Sequence, residues 1–180
     1  NNNNYTYMYY TNSEAKTQLE NWYQTNIGSK ADLAKTVASG AYYCEEAKAK
    51  YDDSYTAGSA NMTLYSNYKP NFKCTTDENG KGVISASVGL LTYDEVVYAG
   101  GYFHRPNSNY YLYNSNIYWW LMSPAGFWTN YSTVWSVSVD GGIGNLNVAN
   151  AHRFRSVLNL KSDTKISDGD GTKGNPFIVE

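Results

Sequence analysis

The chain has 180 residues, enough for one domain with a substantial core. Hydrophobic residues make up 42% and charged residues 17%, which excludes the disordered classes built on few aromatics and high charge. With 14 Lys+Arg against 16 Asp+Glu there is no basic face for nucleic acid, and no apolar run reaches the roughly 18 residues that would predict membrane insertion by this segment.

What stands out is aromatic and amide content. The chain holds 19 Tyr and 21 Asn, together more than a fifth of its residues. They are as dense in 1–12 and 102–118 as elsewhere, so they describe the protein and mark no site by themselves. Residues 1–11 read as a flexible arm ahead of one domain over 12–180. The sequence starts at Asn1 without Met and reads as a trimmed segment, with a leader, lipid anchor or pilus-type N-terminus cut away.

Thr11, Asn12 and Ser13 offer N-caps, with Glu14 at capping-box spacing from Thr11. Ala15, Leu19, Trp22, Tyr23 and Ile27 recur at helical spacing, and Gly28 supplies the stop, which predicts a helix of about three turns. Residues 30–38 predict a second short helix ended by Gly40. The stretch 42–68 has no clean period and reads as a surface path. Cys44 and Cys74 match no metal or redox spacing. An even cysteine count in this composition favours one disulfide and an oxidising compartment, the alternative being two buried free thiols. Sequons at Asn61 and Asn130 carry no weight in so Asn-rich a chain.

Residues 83–91 predict a strand. Thr92-Tyr93-Asp94-Glu95 is a second capping box, opening a helix of about two turns closed by Gly100-Gly101. Residues 102–116, with four Asn and a Pro, read as a long loop. A buried strand is then predicted from Tyr118 to Met122, stopped by Ser123-Pro124, followed by a loop over 125–132. Residues 133–139 and 143–148 flank Asp140-Gly141-Gly142 and predict a hairpin. A further strand is expected over 154–160, and a last one at 177–179 after the turn Asp168-Gly169-Asp170-Gly171. Helices first and strands afterwards predict an α+β fold.

For catalysis the sequence offers little. His104 and His152 are the only histidines, without zinc-type spacing, and no nucleophile elbow or phosphate loop is present. Asp168-Gly169-Asp170-Gly171 resembles half a calcium loop but lacks the acidic twelfth residue, so it reads as a turn. No catalytic group, metal site or cofactor is predicted. The segment Phe127-Trp128-Thr129-Asn130-Tyr131 is more suggestive. Large aromatics give broad contact at low entropic cost and Asn supplies adaptable hydrogen bonds, while the bland alternative is that the rings cap the core. Arg153 and Arg155 share a strand face opposite Phe154, one a candidate buried strut and the other a candidate ligand contact.

The C-terminal third carries a family resemblance. Tyr118-Trp119-Trp120-Leu121-Met122-Ser123-Pro124, Val134-Trp135-Ser136-Val137 with Asp140-Gly141, and Arg153-Phe154-Arg155-Ser156-Val157-Leu158-Asn159-Leu160 resemble three core segments of the bacterial and phage branch of the C-type-lectin-like fold. That branch includes formylglycine-generating-enzyme-like domains and the retroelement-diversified receptor-binding proteins such as the phage major tropism determinant. Asn21-Trp22-Tyr23, the cysteine pair and the segment 89–96 are also similar to surface proteins of gut-type Gram-positive bacteria. Arg153 and Ser156 replace the family's Gly and Pro. The triplets of calcium-dependent sugar-binding lectins and the active-site cysteines of the formylglycine-generating enzyme are missing, so neither activity is implied.

What the resemblance implies is a C-type-lectin-like fold with ligand contacts in the window 125–153: Phe127, Trp128, Asn130, Tyr131, Trp135, Asn145, Asn147, Asn150, His152 and Arg153. The expected function is a secreted or surface-displayed binding module presenting these residues to a protein or glycan. Two rivals stand beside it. A structural pilin-like or envelope subunit predicts a flat apolar patch near the first helix. A hydrolase or oxidase predicts His104 and His152 in one cleft with an acidic partner.

Overall fold

The structure is a computed structural model that describes residues 10–45, 70, 72, 74, 82–128, 131–172 and 174–180. A 3-10 turn, Tyr10–Asn12, leads into helix α1, Glu14–Tyr23. The cap is Ser13, whose Oγ accepts the Lys16 N–H at 3.3 Å. The Thr11–Glu14 capping box does not form, because Thr11 is engaged elsewhere. Its N–H and hydroxyl donate to the buried Glu45 carboxylate at 2.5 and 2.6 Å. Tyr10 is also inside, 3% exposed, with its hydroxyl donating to Val88 O at 2.9 Å. Tyr10 and Thr11 therefore belong to the folded body and not to an arm; residues 1–9 lie outside the described residues.

Leu19 and Tyr23 are the buried row of α1, whereas Trp22 from the same expected stripe is exposed. The helix runs on as a π turn, Gln24–Gly28, and is followed by the single-turn α2, Ala31–Ala34. Gly40, at φ +70°, turns the chain into strand β1, Ala41–Cys44. β1 pairs antiparallel with β2, Val83–Ala86. Cys44, opposite Val83, forms a disulfide with Cys74. Most of the surface path expected over 42–68 lies outside the described residues.

The expected strand at 83–91 divides into β2 and β3, Gly89–Leu90. Helix α3, Tyr93–Tyr98, has the predicted capping box. Thr92 Oγ1 accepts the Glu95 N–H at 3.2 Å, and the Glu95 carboxylate accepts the Thr92 N–H at 2.7 Å. Gly100 ends it at φ +113°.

A four-stranded sheet follows in the order β6-β5-β4-β7. β4 is Trp119–Trp128, β5 Tyr131–Val137, β6 Ile143–Asn147 and β7 Arg153–Phe154. β4–β5 and β5–β6 are antiparallel, and β7 lies parallel to β4. Here the structure corrects the sequence reading. Ser123-Pro124 does not stop the strand, and the backbone over 125–128 is not loop but the outer half of a hairpin with Phe127↔Ser132 and Trp128↔Tyr131 opposed. Register shifts on both sides of Pro124 take up the residue that cannot donate to a ladder. The strand expected at 154–160 breaks up among separate partners. β7 joins β4, β8 (Ser156–Val157) pairs with β3, and Leu160 bridges Val37. A terminal antiparallel ribbon, β9 (Ile166–Asp168) with β10 (Ile178–Val179), closes the chain around the predicted Asp-Gly turn.

Strand alternation makes the sheet a partition between two cores. Trp120 and Met122 pack with Tyr10, Leu19, Tyr23, Tyr43 and Val88 on one face. Trp119, Leu121, Trp135, Val137 and Ile143 pack with Tyr93, Val96 and Tyr110 on the other. The fold is α+β, with few helices and mainly antiparallel sheets. No helix among the described residues is long and apolar enough to cross a membrane.

Candidate functional site

A cavity of about 480 Å³ opens on the Trp120 face, between the start of α1 and the turn joining β6 to β7. Both walls are set by local chemistry. On the α1 side, Ser13 ties itself to Tyr10 through N–H and Oγ, both to Tyr10 O, at 3.0 and 2.8 Å. Tyr10 and Thr11 are in turn clamped to Val88 and Glu45. Burial raises the Tyr10 hydroxyl well above its ordinary range, so it stays a neutral donor. Glu14 and Gln18, one turn apart, line the cavity and are joined by a 3.1 Å bond from Gln18 Nε2 to Glu14 Oε1.

On the other side, Asn147 Oδ1 accepts the Ala149 N–H and Asn147 O accepts the Asn150 N–H, each at 2.9 Å, an Asx-type turn. The Arg153 N–H then donates to Tyr118 O at 3.1 Å, returning the chain to the sheet. This path seats His152 against Tyr118 and edge-on to Trp120, with ring centroids 5.4 and 5.0 Å apart. His152 Nε2 is buried without a hydrogen-bond partner. Burial lowers the imidazole pKa from 6.5, which favours the neutral ring. Trp120, Met122, Val134 and Phe154 supply the apolar part of the lining.

Of the residues singled out in the sequence, only Asn150 and His152 line this cavity. Trp135 is 0% exposed in the second core and is not a ligand-contact surface. Asn145 lies opposite Trp135, and Asn147 lies opposite Thr133 two residues along β5, so these and Tyr131 sit on the Trp135 face of the sheet. Arg153 is exposed. Its neighbour Arg155 is the strut, with Nη1 donating to Leu112 O at 2.5 Å and the guanidinium over the Trp119 ring. Phe127 and Trp128 lie in the β4–β5 hairpin, and Asn130 lies outside the described residues. The window 125–153 is therefore divided between the two faces of the sheet.

The two histidines have different ring partners. His104 stacks on Phe103, which meets Trp135, whereas His152 packs against Tyr118 and Trp120. The cavity beside Trp120 is lined by His152 and not by His104. Asp168 and Asp170 accept N–H groups of their own turn at 2.7 and 2.9 Å. Among the described residues no cluster of His, Cys, Asp and Glu is arranged to hold a metal ion.

Sequence reasoning missed Ser13, Glu14, Gln18, Trp120 and Phe154 as cavity residues. The available signal was local: a cap followed by a polar pair at i, i+4, on a different row of α1 from buried Leu19 and Tyr23. No protein-family model matches the sequence, and no curated protein and no solved structure matches it.

Proposed function

We propose that this chain is a C-type-lectin-like recognition module of an extracellular or cell-surface protein, binding a protein or glycan ligand without transforming it. The observation that carries the reading is the cavity beside Trp120, whose volume falls in the range of small-ligand sites, about 300–1,000 Å³. It combines an apolar lining with the polar side chains of Ser13, Gln18, Asn150 and His152. Asn150 is exposed at its edge, and His152 keeps a buried nitrogen without a hydrogen-bond partner. The Cys44–Cys74 disulfide and the α+β order of elements support the setting and the fold class.

A second reading puts the ligand on the β4–β5 hairpin, where Trp128 and Tyr131 are paired across the strands. Binding to protein and glycan arrays by the wild type and two double variants separates the readings. Loss in Gln18→Ala/Asn150→Ala with retention in Trp128→Ala/Tyr131→Ala is the expected result. The reverse pattern moves the site to the hairpin, and no binding on either array overturns the recognition role.

A further inference from the structure

We infer that the cavity beside Trp120 takes a trimethylammonium group, of the kind that choline or a trimethylated lysine carries. This rests on the reading of the chain as a recognition module and names a chemistry for its ligand.

Rings are the first argument. Tyr10, Trp120, His152 and Phe154 all line the one cavity, with Met122 beside them. Trp120 and His152 meet at 70° with centroids 5.0 Å apart, so they form a corner and not a flat stack. Burial lowers the His152 pKa, which makes this wall a neutral ring and not a competing cation. Aromatic faces attract a cation through their quadrupole, Trp most strongly, and quaternary ammonium groups are the ligands that use this best.

Charge is the second argument. Among the described residues the lining holds one carboxylate, Glu14, and no Lys or Arg. Gln18 steadies that carboxylate, Nε2 donating to Oε1 at 3.1 Å. The Tyr10 hydroxyl is pushed up first by burial and then by the negative charge of Glu20, with Glu45 adding to it, so the wall behind the rings is acidic as well. An anion meets like charge here, and a neutral apolar ligand gains nothing from it.

Hydrogen bonding decides between kinds of cation. Several polar groups of the lining are already committed inside the protein. Ser13 Oγ donates to Tyr10 O and accepts the Lys16 N–H, Gln18 Nε2 donates to Glu14, and the Tyr10 hydroxyl donates to Val88 O. A primary ammonium is strongly hydrated and brings three N–H donors that each need an acceptor. A trimethylammonium group brings none. It can leave water for a ring-lined space without stranding a donor, while its charge stays within reach of Glu14.

The probes are tetramethylammonium, choline and an acetylated trimethyllysine methylamide. The controls are dimethylbutanol, the uncharged carbon isostere of choline, and ethanolamine, a primary ammonium. Binding to the whole chain is followed by calorimetry and by intrinsic tryptophan fluorescence. At least one trimethylammonium probe is expected to bind, with dimethylbutanol and ethanolamine weaker by about tenfold or more. Binding of choline without the lysine derivative supports the inference and names a choline-bearing ligand; the reverse supports it and names a methylated protein. Glu14→Gln should weaken binding by about three- to tenfold, the loss of one attracting charge. Ala151→Trp, which puts a large ring on an exposed residue of the lining, should abolish it while the thermal unfolding curve is kept. No binding by any of the three cations, equal binding of either control, or binding unchanged in Glu14→Gln or surviving Ala151→Trp would each overturn the inference. If a ligand from the arrays depends on Gln18 and Asn150 while all three cations fail, the recognition role stands and the trimethylammonium assignment alone is lost.

Discussion

His152 shows how a single side chain couples the site to stability. Its ring is held between Tyr118 and Trp120, and burial keeps the folded pKa below 6.5. As pH falls, the unfolded chain takes up the proton first. The contribution of the neutral ring is therefore complete above about 6.5 and is lost as pH drops towards the folded value. Urea unfolding midpoints measured between roughly pH 5 and 8 should fall on the acid side. In His152→Phe, which keeps a ring and removes the titrating nitrogens, that part of the slope should vanish. The same variant relieves an unpartnered buried nitrogen, a group that costs about 1–3 kcal/mol, so at pH 8 it should be no less stable than the wild type. An unchanged slope would remove His152 from the account. At this scale the sequence was partly legible. Asn150 and His152 were visible as polar residues in a plausible window. Trp135 was misassigned because a Trp in a β-branched run has the same signature whether it faces solvent or a second core, and only strand register decides which.

Elements were read best where their ends are chemical. The α3 capping box is spelled out by Thr92 and Glu95, and both of its hydrogen bonds are present. Thr92→Ala should cost about 1 kcal/mol, visible as a lower denaturation midpoint with unchanged slope. Thr92→Ser should restore most of it, because a serine hydroxyl caps equally well. Thr11 carried the same motif with Glu14 and failed, because a buried carboxylate 34 positions away outcompeted the local partner. Proline was misleading for a related reason. Pro124 predicts a strand end, but the bulged register around it removes the demand for its N–H, and the hairpin extends to Trp128. Long-range pairing overrode the local rule in both cases.

The whole molecule is organised by a sheet with a tryptophan buried on each side, Trp119 at 0% exposed and Trp120 at 8%. The α+β class followed from element order, but the partition did not, since an unbroken apolar run such as Trp119 to Met122 is equally consistent with one core or two. The Cys44–Cys74 bond fastens the periphery of the Trp120 side, where β1 carries Tyr43 into that core. Closing a loop of this length restricts the unfolded chain by about 3–4 kcal/mol. Cys44→Ser/Cys74→Ser should lower the melting temperature by roughly 10 °C, and a reductant should shift the wild type by a similar amount. No shift in either would mean that the bond constrains little.

The pairing of Leu160 with Val37, and of Val157 with Gly89, has a consequence for synthesis. The ribosome delivers residues 37 and 89 long before it delivers 157 and 160. Nascent chains halted before residue 157 lack β8, and their α1 and β1 segments leave the core beside Trp120 without its last layer. Completion on this side is therefore expected only once residues 154–160 have emerged, and until then the early chain leaves part of that core uncovered.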